Sequence, residues 1–364
     1  MKYISAKEAA DKWGISQRRV SFLCSENRIP DAQRVGNMWI IPEIAIKPVD
    51  GRCNKMSEEA FVKPFLKWAG GKGQLLTKIK AYYSFEEGKI TKYAEPFIGG
   101  GAVLFDILSK YQLDEVYISD INADLINTYK AIRDNVDEVI SCLKSMEEMF
   151  LPFEIEARKN YFYQQRDKFN RLKSEAHNNF DLEKAALMIF LNKTCFNGLY
   201  RVNGKNEFNV PIGSYKYPTI CDKKNILAVN KALQKVEIIC GDFEQTFDYV
   251  EDNTLFYFDP PYKPLSETSS FNSYSKDKFN DCDQIRLRDF CNKLDSLNHY
   301  WILSNSDVRG KDENDNFFDD LYSKFQIQRI LAKRSINVNP EKRGILNELL
   351  ITNNNQLKKY ERAV

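Results

Sequence analysis

Histidine is almost absent from this 364-residue sequence, which holds only His177 and His299. A histidine-based nucleophilic triad and a relay through several imidazoles are therefore excluded. The eight cysteines (24, 53, 142, 195, 221, 240, 282 and 291) include no C-x-x-C pair, so no zinc constellation can be assembled and no metal is expected. Free thiols in a reducing compartment are the simpler reading. Long apolar runs are missing as well: the longest, such as 185–191, fall far short of the roughly 20 residues that span a bilayer. Nor does the beginning of the sequence carry the apolar stretch of a signal peptide. A cytoplasmic protein with no membrane contact is expected. An excess of one charge sign is also lacking, since 53 Lys+Arg face 51 Asp+Glu, a balance that by itself does not suggest a polyanionic partner. What remains for chemistry is carboxylates, backbone groups and aromatics. With 43% hydrophobic residues there is ample material for a core, in one or two domains.

The neutral total hides a segregated charge. Residues 1–55 carry a net +4, leaving −2 for the rest; within that rest, 192–224 holds six basic and two acidic residues, and 331–343 four and one. Basic islands in an acidic body are plain solvated surface unless motifs beside them imply a polyanion. Residues 1–45 read as a small unit. Ser5-Ala-Lys-Glu8 is a capping box opening a short helix that ends near Trp13-Gly14. Ser16 can cap a second helix from Gln17 to about Asn27, with Val20, Phe22 and Leu23 inward and Arg18 and Arg19 on its first turn. Gln33-Arg-Val35, a Gly36-Asn37 turn and Met38-Trp-Ile-Ile41 then predict a hairpin carrying Arg34. Two helices about a tight turn plus a hairpin resemble the winged helix-turn-helix modules of the excisionase and MerR-like families, which implies DNA binding or, in the same compact fold, protein docking. Residues 46–60, with Pro48 and Asp50-Gly51, read as a linker.

Beyond it, β-rich segments at 93–97, 115–121, 236–240, 255–258, 300–303, 326–331 and 346–351 alternate with helix-length segments, which predicts a doubly wound α/β sheet over 61–150 and 228–353. Residues 151–227 break the rhythm and read as an inserted subdomain, and 354–364 as a tail. Glu95-Pro-Phe-Ile-Gly-Gly-Gly101 ends the first strand and opens a helix; Asp120 ends the second, 19 residues after Gly101. Glycines there let a ligand approach the backbone, and an acid on the next strand can hold ribose hydroxyls, so a nucleoside-containing cofactor fits. A structural turn fits the glycines equally, and the absence of G-x-G-x-x-G removes support for a nicotinamide or flavin dinucleotide. Asp259-Pro-Pro-Tyr262 follows a strand at the edge where α/β folds keep their sites. Its prolines fix the backbone so that the Asp259 carboxylate and the Pro260 carbonyl can face one donor, with Tyr262 as a stacking plane. That suits the exocyclic amine of a base lifted from a duplex.

Taken in order, Phe65-Leu-Lys-Trp-Ala-Gly-Gly-Lys72, the glycine motif, Asp120, Asn192-Lys-Thr-Cys-Phe-Asn-Gly-Leu-Tyr-Arg201, Glu207-Phe-Asn-Val-Pro211, Tyr215, Asp259-Pro-Pro-Tyr262 and Ser304-Asn-Ser-Asp307 resemble the Dam-type, D12-class DNA adenine-N6 methyltransferases of the alpha group. The resemblance covers about 61–353. It implies a Rossmann-like S-adenosylmethionine-dependent methyltransferase sheet with a helical DNA-recognition insert, acting on double-stranded DNA. It further implies that Trp68, Lys72, Glu95, Phe97, Gly99, Gly101, Asp120, Asp242, Phe243 and Asp259 hold the cofactor, and that Asp259, Pro260 and Tyr262 receive a flipped adenine. Arg201 would read a guanine of G-A-T-C, with Lys67, Leu199 and Pro211 also at the bases and Phe196, Asn197 and Tyr215 beside them. Phe196 stands where some members have tyrosine, so a phosphate contact by that hydroxyl is not carried over. Residues 331–343, with Lys333, Arg334 and Arg343, form a candidate phosphate clamp. Direct displacement by adenine N6 on the sulfonium methyl needs neither metal nor covalent intermediate, which agrees with the scarcity of histidine. Methylation at another adenine site or on RNA, and a catalytically silent DNA-binding regulator, stay open at this level. So does a cognate restriction endonuclease as partner; a monomer is expected.

Overall fold

The computed structural model describes residues 3–13, 17–25, 29–36, 38–43, 45, 62–83, 85, 90–175, 180–249, 252–263, 279–310, 312–333 and 345–353. The chain divides into two compact units, Met1–Glu59 and Ala60–Val364. The expected linker at 46–60, the cap Ser16, the tail at 354–364 and most of the basic segment 331–343, including Arg334 and Arg343, lie outside the described residues.

The first unit contains β1 (Tyr3–Ser5), α1 (Ala6–Trp13), α2 (Gln17–Ser25), β2 (Gln33–Val35) and β3 (Met38–Pro42). The capping box forms: Glu8 N–H donates to Ser5 Oγ at 3.2 Å, and Ser5 N–H donates back to Glu8 Oε2 at 2.7 Å. Ala6, Ala9, Ala10, Val20, Leu23, Cys24, Ile29 and Ile41 make its core. The hairpin gains a third strand that sequence did not suggest, because Tyr3–Ser5 pairs with β3 and completes an antiparallel sheet of order β1-β3-β2. Three residues ahead of a helix cap are too short a run to signal a strand. Helix α2 is described to Ser25 rather than Asn27; Arg18 and Arg19 lie in its first turn with side chains outside the described set, and Arg34 is exposed on β2.

The second unit contains α3 (Leu76–Ile79), β4 (Lys92–Glu95), α4 (Ala102–Leu108), β5 (Glu115–Asp120), α5 (Ala123–Asp134), α6 (Val136–Phe150), α7 (Ile155–Glu175), α8 (Leu182–Thr194) and α9 (Lys223–Leu233). Then come β6 (Val236–Cys240), β7 (Thr254–Phe258), α10 (Asp281–Ser296), β8 (Tyr300–Ser306), α11 (Phe317–Leu321), β9 (Gln326–Lys333) and β10 (Ile345–Thr352). Seven strands form one sheet of order β6-β5-β4-β7-β8-β10-β9, parallel from β6 to β8, with β10 antiparallel to both its neighbours. Alternate residues serve two cores. Tyr93, Leu255, Tyr257, Ile302 and Leu350 point to one, and Ala94, Phe256, Phe258, Trp301, Leu303, Leu349 and Ile351 to the other. A sheet covered on both faces needs strands that are apolar throughout, and every residue of β7 is buried.

Two of the strand boundaries that differ from expectation have local causes. β4 stops at Glu95 because Pro96 has no N–H to continue the ladder. β8 runs through Ser304, Asn305 and Ser306, which look like a polar loop, because β10 pairs with it residue for residue from Thr352↔Ile302 to Glu348↔Ser306. The 151–227 segment shares its core with the sheet: Phe162, Phe169 and the buried face of α8 belong to the same cluster as Val116 and Ile118.

Candidate active site

Parallel strands present their carboxyl ends to one edge, and a crevice opens where consecutive connections leave in opposite directions. That point lies between β4 and β7, since β5 and β6 extend the sheet on one side and β8 on the other. Asp259 follows β7 directly, and Lys72 starts a short 3-10 helix, Lys72–Gln74. The Lys72 ammonium, 3% exposed, lies 2.6 Å from Asp259 Oδ1, donates to the Gly70 carbonyl at 2.9 Å and sits 4.7 Å from the centre of the Tyr262 ring. Among the described residues Asp259 Oδ2 accepts no hydrogen bond. Burial pushes the Asp259 carboxyl up to about 6, against the opposing pull of Lys72 and with a smaller push from Glu348. The Tyr262 hydroxyl donates to Glu348 Oε2 at 2.7 Å. Across the crevice Glu95, buried at the end of β4, accepts from the Tyr93 hydroxyl at 2.8 Å, and burial drives its carboxyl well above the usual range.

The glycine turn is built for close approach. Gly99 and Gly101 have φ of +46° and +71°, and a Cβ on Gly99 would lie 2.8 Å from Trp68 Cδ1. Trp68 is thereby pressed against the turn, and its indole stacks on Tyr200 at 5.6 Å and 22°. At the end of β5, Asp120 accepts the Gly99 N–H at 3.2 Å on Oδ2 and the Asn122 N–H at 2.9 Å on Oδ1. A carboxylate offers about four acceptor positions, so both oxygens keep capacity for a pair of ribose hydroxyls. Burial raises Asp120 to about 6, while those backbone donors oppose it. Phe97 stacks on Phe243 at 5.5 Å, and Arg286 of α10 covers the Phe243 ring at 4.6 Å while pairing with Asp242. These residues fit a nucleoside cofactor: a turn without Cβ obstruction, a carboxylate at the second strand and an aromatic wall.

Residues 192–215, with Lys67, supply a second constellation. Asn192 takes the Lys67 N–H at 2.8 Å and donates to the carbonyls of Lys67 and Gly198 at 2.8 and 2.9 Å. Gly198, at φ +64°, leaves room for the Lys67 side chain, whose Nζ donates to the Tyr215 hydroxyl at 3.3 Å. Phe196 is 42% exposed and hydrogen-bonds through its N–H to the Pro211 carbonyl at 2.9 Å; Asn197 and Pro211 are exposed and Leu199 half-buried. Arg201 is set apart from that group: its Nε donates to Asn209 Oδ1 at 2.7 Å.

Residues 68–336 match the family described as D12 class N6 adenine-specific DNA methyltransferase. The chain belongs to that family. It is 51% identical over 296 residues to a type II methyltransferase, MjaIII, of Methanocaldococcus jannaschii, an alignment that takes in 80% of this chain and 99% of that protein. It is 33% identical over 289 residues to a DNA adenine methylase of Haemophilus influenzae, covering 79% and 92%, and 32% identical over 289 residues to one of Escherichia coli, covering 79% and 94%. About a fifth of this D12-class methyltransferase thus lies outside relatives that are themselves almost fully aligned.

In the methyltransferase unit the expected catalytic and cofactor residues other than Glu95, which pairs with Tyr93, fall into three groups. Lys72, Asp259, Pro260 and Tyr262 close one end of the crevice, Trp68, Gly99, Gly101 and Asp120 form the turn, and Phe97, Phe243 and Asp242 are joined through Arg286. Glu348 was missed, as were Tyr200 and the buried network beneath it. Tyr200 donates to Asp124 Oδ2 at 2.7 Å, and Lys173 and Lys184 lie 2.8 and 3.4 Å from that carboxylate. Burial pushes Asp124 up, but these cations and the phenol bring it below the ordinary value. Asp124 lies four residues past Asp120, a faint signal. Among the described residues no His, Cys, Asp or Glu cluster could hold a metal, and no helix is long and apolar enough to cross a membrane.

Proposed function

We propose that this D12-class enzyme transfers a methyl group from S-adenosylmethionine to N6 of an adenine flipped out of double-stranded DNA, within G-A-T-C. The observation that carries the reading is the pair of buried Lys72 and half-buried Asp259, 2.6 Å apart, beside the Tyr262 ring at the switch point of the sheet. Bound S-adenosylmethionine would supply an electrophilic sulfonium methyl. Trp68, Glu95, Phe97, Gly99, Gly101, Asp120 and Phe243 would hold it, with Asp120 toward the ribose. Lys72 orients Asp259 by engaging one oxygen, leaving the other and the Pro260 carbonyl to accept from the N6 amine. Tyr262 stacks on the base. Expression in a host lacking adenine methylation, followed by mapping of modified bases, tests enzyme, substrate and site together: methyladenine confined to G-A-T-C is expected, and unmodified DNA overturns the reading.

Site choice is assigned to Arg201, held by Asn209, whose Oδ1 accepts from Nε at 2.7 Å and whose carbonyl accepts from Nη2 at 3.5 Å, which leaves Nη1 for a guanine edge, with Lys67, Phe196, Asn197, Leu199, Pro211 and Tyr215 supporting it. Arg201→Ala is expected to cost about 1–3 kcal/mol of discrimination, roughly ten- to hundredfold in kcat/KM for G-A-T-C against sites altered at the guanine. Steady-state methylation of matched duplexes measures it. The Met1–Glu59 unit is assigned as a second DNA contact through Arg18, Arg19 and Arg34, supported by its net charge of +4 over residues 1–55 and by the appended position. Deleting 1–55 is expected to keep the methylated site while weakening DNA binding and flattening its salt dependence. Binding that is unchanged across a salt series would point to protein docking.

A further inference from the structure

The strand that carries Glu348 runs against the parallel strands, and this direction brings its residue to the site. β10 pairs with β8 so that Glu348 stands opposite Ser306, the last residue of β8, at the carboxyl edge where Asp259 also emerges. There Glu348 Oε2 accepts the Tyr262 hydroxyl at 2.7 Å and lies 3.9 Å from Lys72 Nζ. Lys72 in turn lies 2.6 Å from Asp259 and over the Tyr262 ring. The four side chains close on one another. Tyr262 is tethered at both ends, through its backbone by Pro260 and Pro261 and through its hydroxyl by a carboxylate acceptor, a stronger partner than a neutral one.

A stacking platform is useful to the extent that its orientation is set before the base arrives, because a ring free to turn about its side-chain bonds loses that freedom on binding. Lys72 has the same need, since its position fixes which oxygen of Asp259 stays open. We propose that Glu348 is a positioning residue for methyl transfer: its carboxylate anchors the Tyr262 hydroxyl and, through Lys72, helps fix Asp259, so that the extruded adenine meets a preset ring and acceptor. This rests on the reading that Tyr262 receives the base.

The test uses the full chain with S-adenosylmethionine on two duplexes, one with the target adenine for methyl transfer and one with 2-aminopurine in its place, which has no N6 amine and reports base extrusion alone. Glu348→Ala is expected to lower the single-turnover methylation rate about ten- to hundredfold and to reduce the fluorescence rise on DNA binding, with cofactor affinity changed less than about threefold. Glu348→Gln, whose amide oxygen still accepts from the phenol, is expected to retain most of both signals. Tyr262→Phe should fall part of the way that Glu348→Ala does, and the double variant no further than Glu348→Ala alone, because the phenol bond is lost in both. Wild-type rates and fluorescence in Glu348→Ala, or single effects that multiply in the double variant, overturn the proposal. Should Glu348→Ala fail to fold, Tyr262→Phe reads the same bond, and an unchanged rate and fluorescence there also overturn it. A wild-type protein that methylates without any fluorescence rise overturns the base-receiving role of Tyr262 and this proposal with it, whereas a normal wild-type signal matched in rate and fluorescence by Glu348→Ala overturns the positioning role alone.

Discussion

Asp259→Asn is expected to lower the rate of methyl transfer by about two to three orders of magnitude while leaving the fold intact. In the proposed role the carboxylate accepts from an amine whose hydrogens become more acidic as nitrogen attacks, and an amide is a weaker acceptor that also brings competing N–H donors. Asparagine is a better test than alanine. Lys72 is 3% exposed with Glu348 as its other carboxylate at 3.9 Å, so removing the Asp259 side chain leaves a buried ammonium underpaired, a loss of about 3–5 kcal/mol in typical cases. The wild type should show a matching pH limb. Burial raises Asp259 to about 6, so the accepting, ionised form predominates above that value and is lost as the pH falls through it. Activity should rise with pH across this window and then level, and in Asp259→Asn the limb should shrink to the part owed to Asp120, which burial also raises to about 6. Single-turnover rates between pH 5 and 8, with melting curves to verify folding, measure both.

Gly101→Ala is expected to destabilise the methyltransferase unit by about 2–5 kcal/mol, the sum of a left-handed backbone and an overpacked core. At φ +71° the new Cβ would lie 2.6 Å from the Tyr129 hydroxyl and 2.9 Å from Phe105 Cε2, two side chains with no room to retreat because both are buried. The damage spreads to the cofactor turn, since the same Tyr129 hydroxyl donates to the Gly99 carbonyl at 3.1 Å. Weaker stabilisation by added S-adenosylmethionine should therefore accompany the lower melting temperature. Gly73 provides the control: nothing lies within 4 Å of a Cβ there and its φ is ordinary, so Gly73→Ala should stay within about 0.5 kcal/mol of wild type.

The parts of this molecule legible in its sequence are those where neighbouring residues share one task. Asp259 through Tyr262 is a single turn, 95–101 a single strand-to-helix passage, and Leu255–Phe258 a run whose unbroken apolarity signals burial on both faces. Glu348 is different. It lies 86 residues beyond Tyr262 inside Leu346-Asn-Glu-Leu-Leu350, which reads as ordinary strand, and its role depends on β10 slipping between β8 and β9 in reverse. Spacing along a chain does not encode that. Tyr200 was overshadowed by Arg201 beside it, and its stacking on Trp68 unites residues from opposite ends of the fold pattern. Charge patterning exposed the net positive first unit but not the Asp124 network, because a buried carboxylate flanked by two lysines is indistinguishable in sequence from a solvated one.

The order β8-β10-β9 also bears on when the enzyme becomes competent during its own synthesis. The ribosome delivers β9 before β10, yet β10 lies between β8 and β9 and is hydrogen-bonded to both. Until it arrives, β9 has no partner on that side of the sheet and Tyr262 lacks the carboxylate that anchors it. β10 is therefore the keystone that joins β9 to the sheet and brings Glu348 to the site.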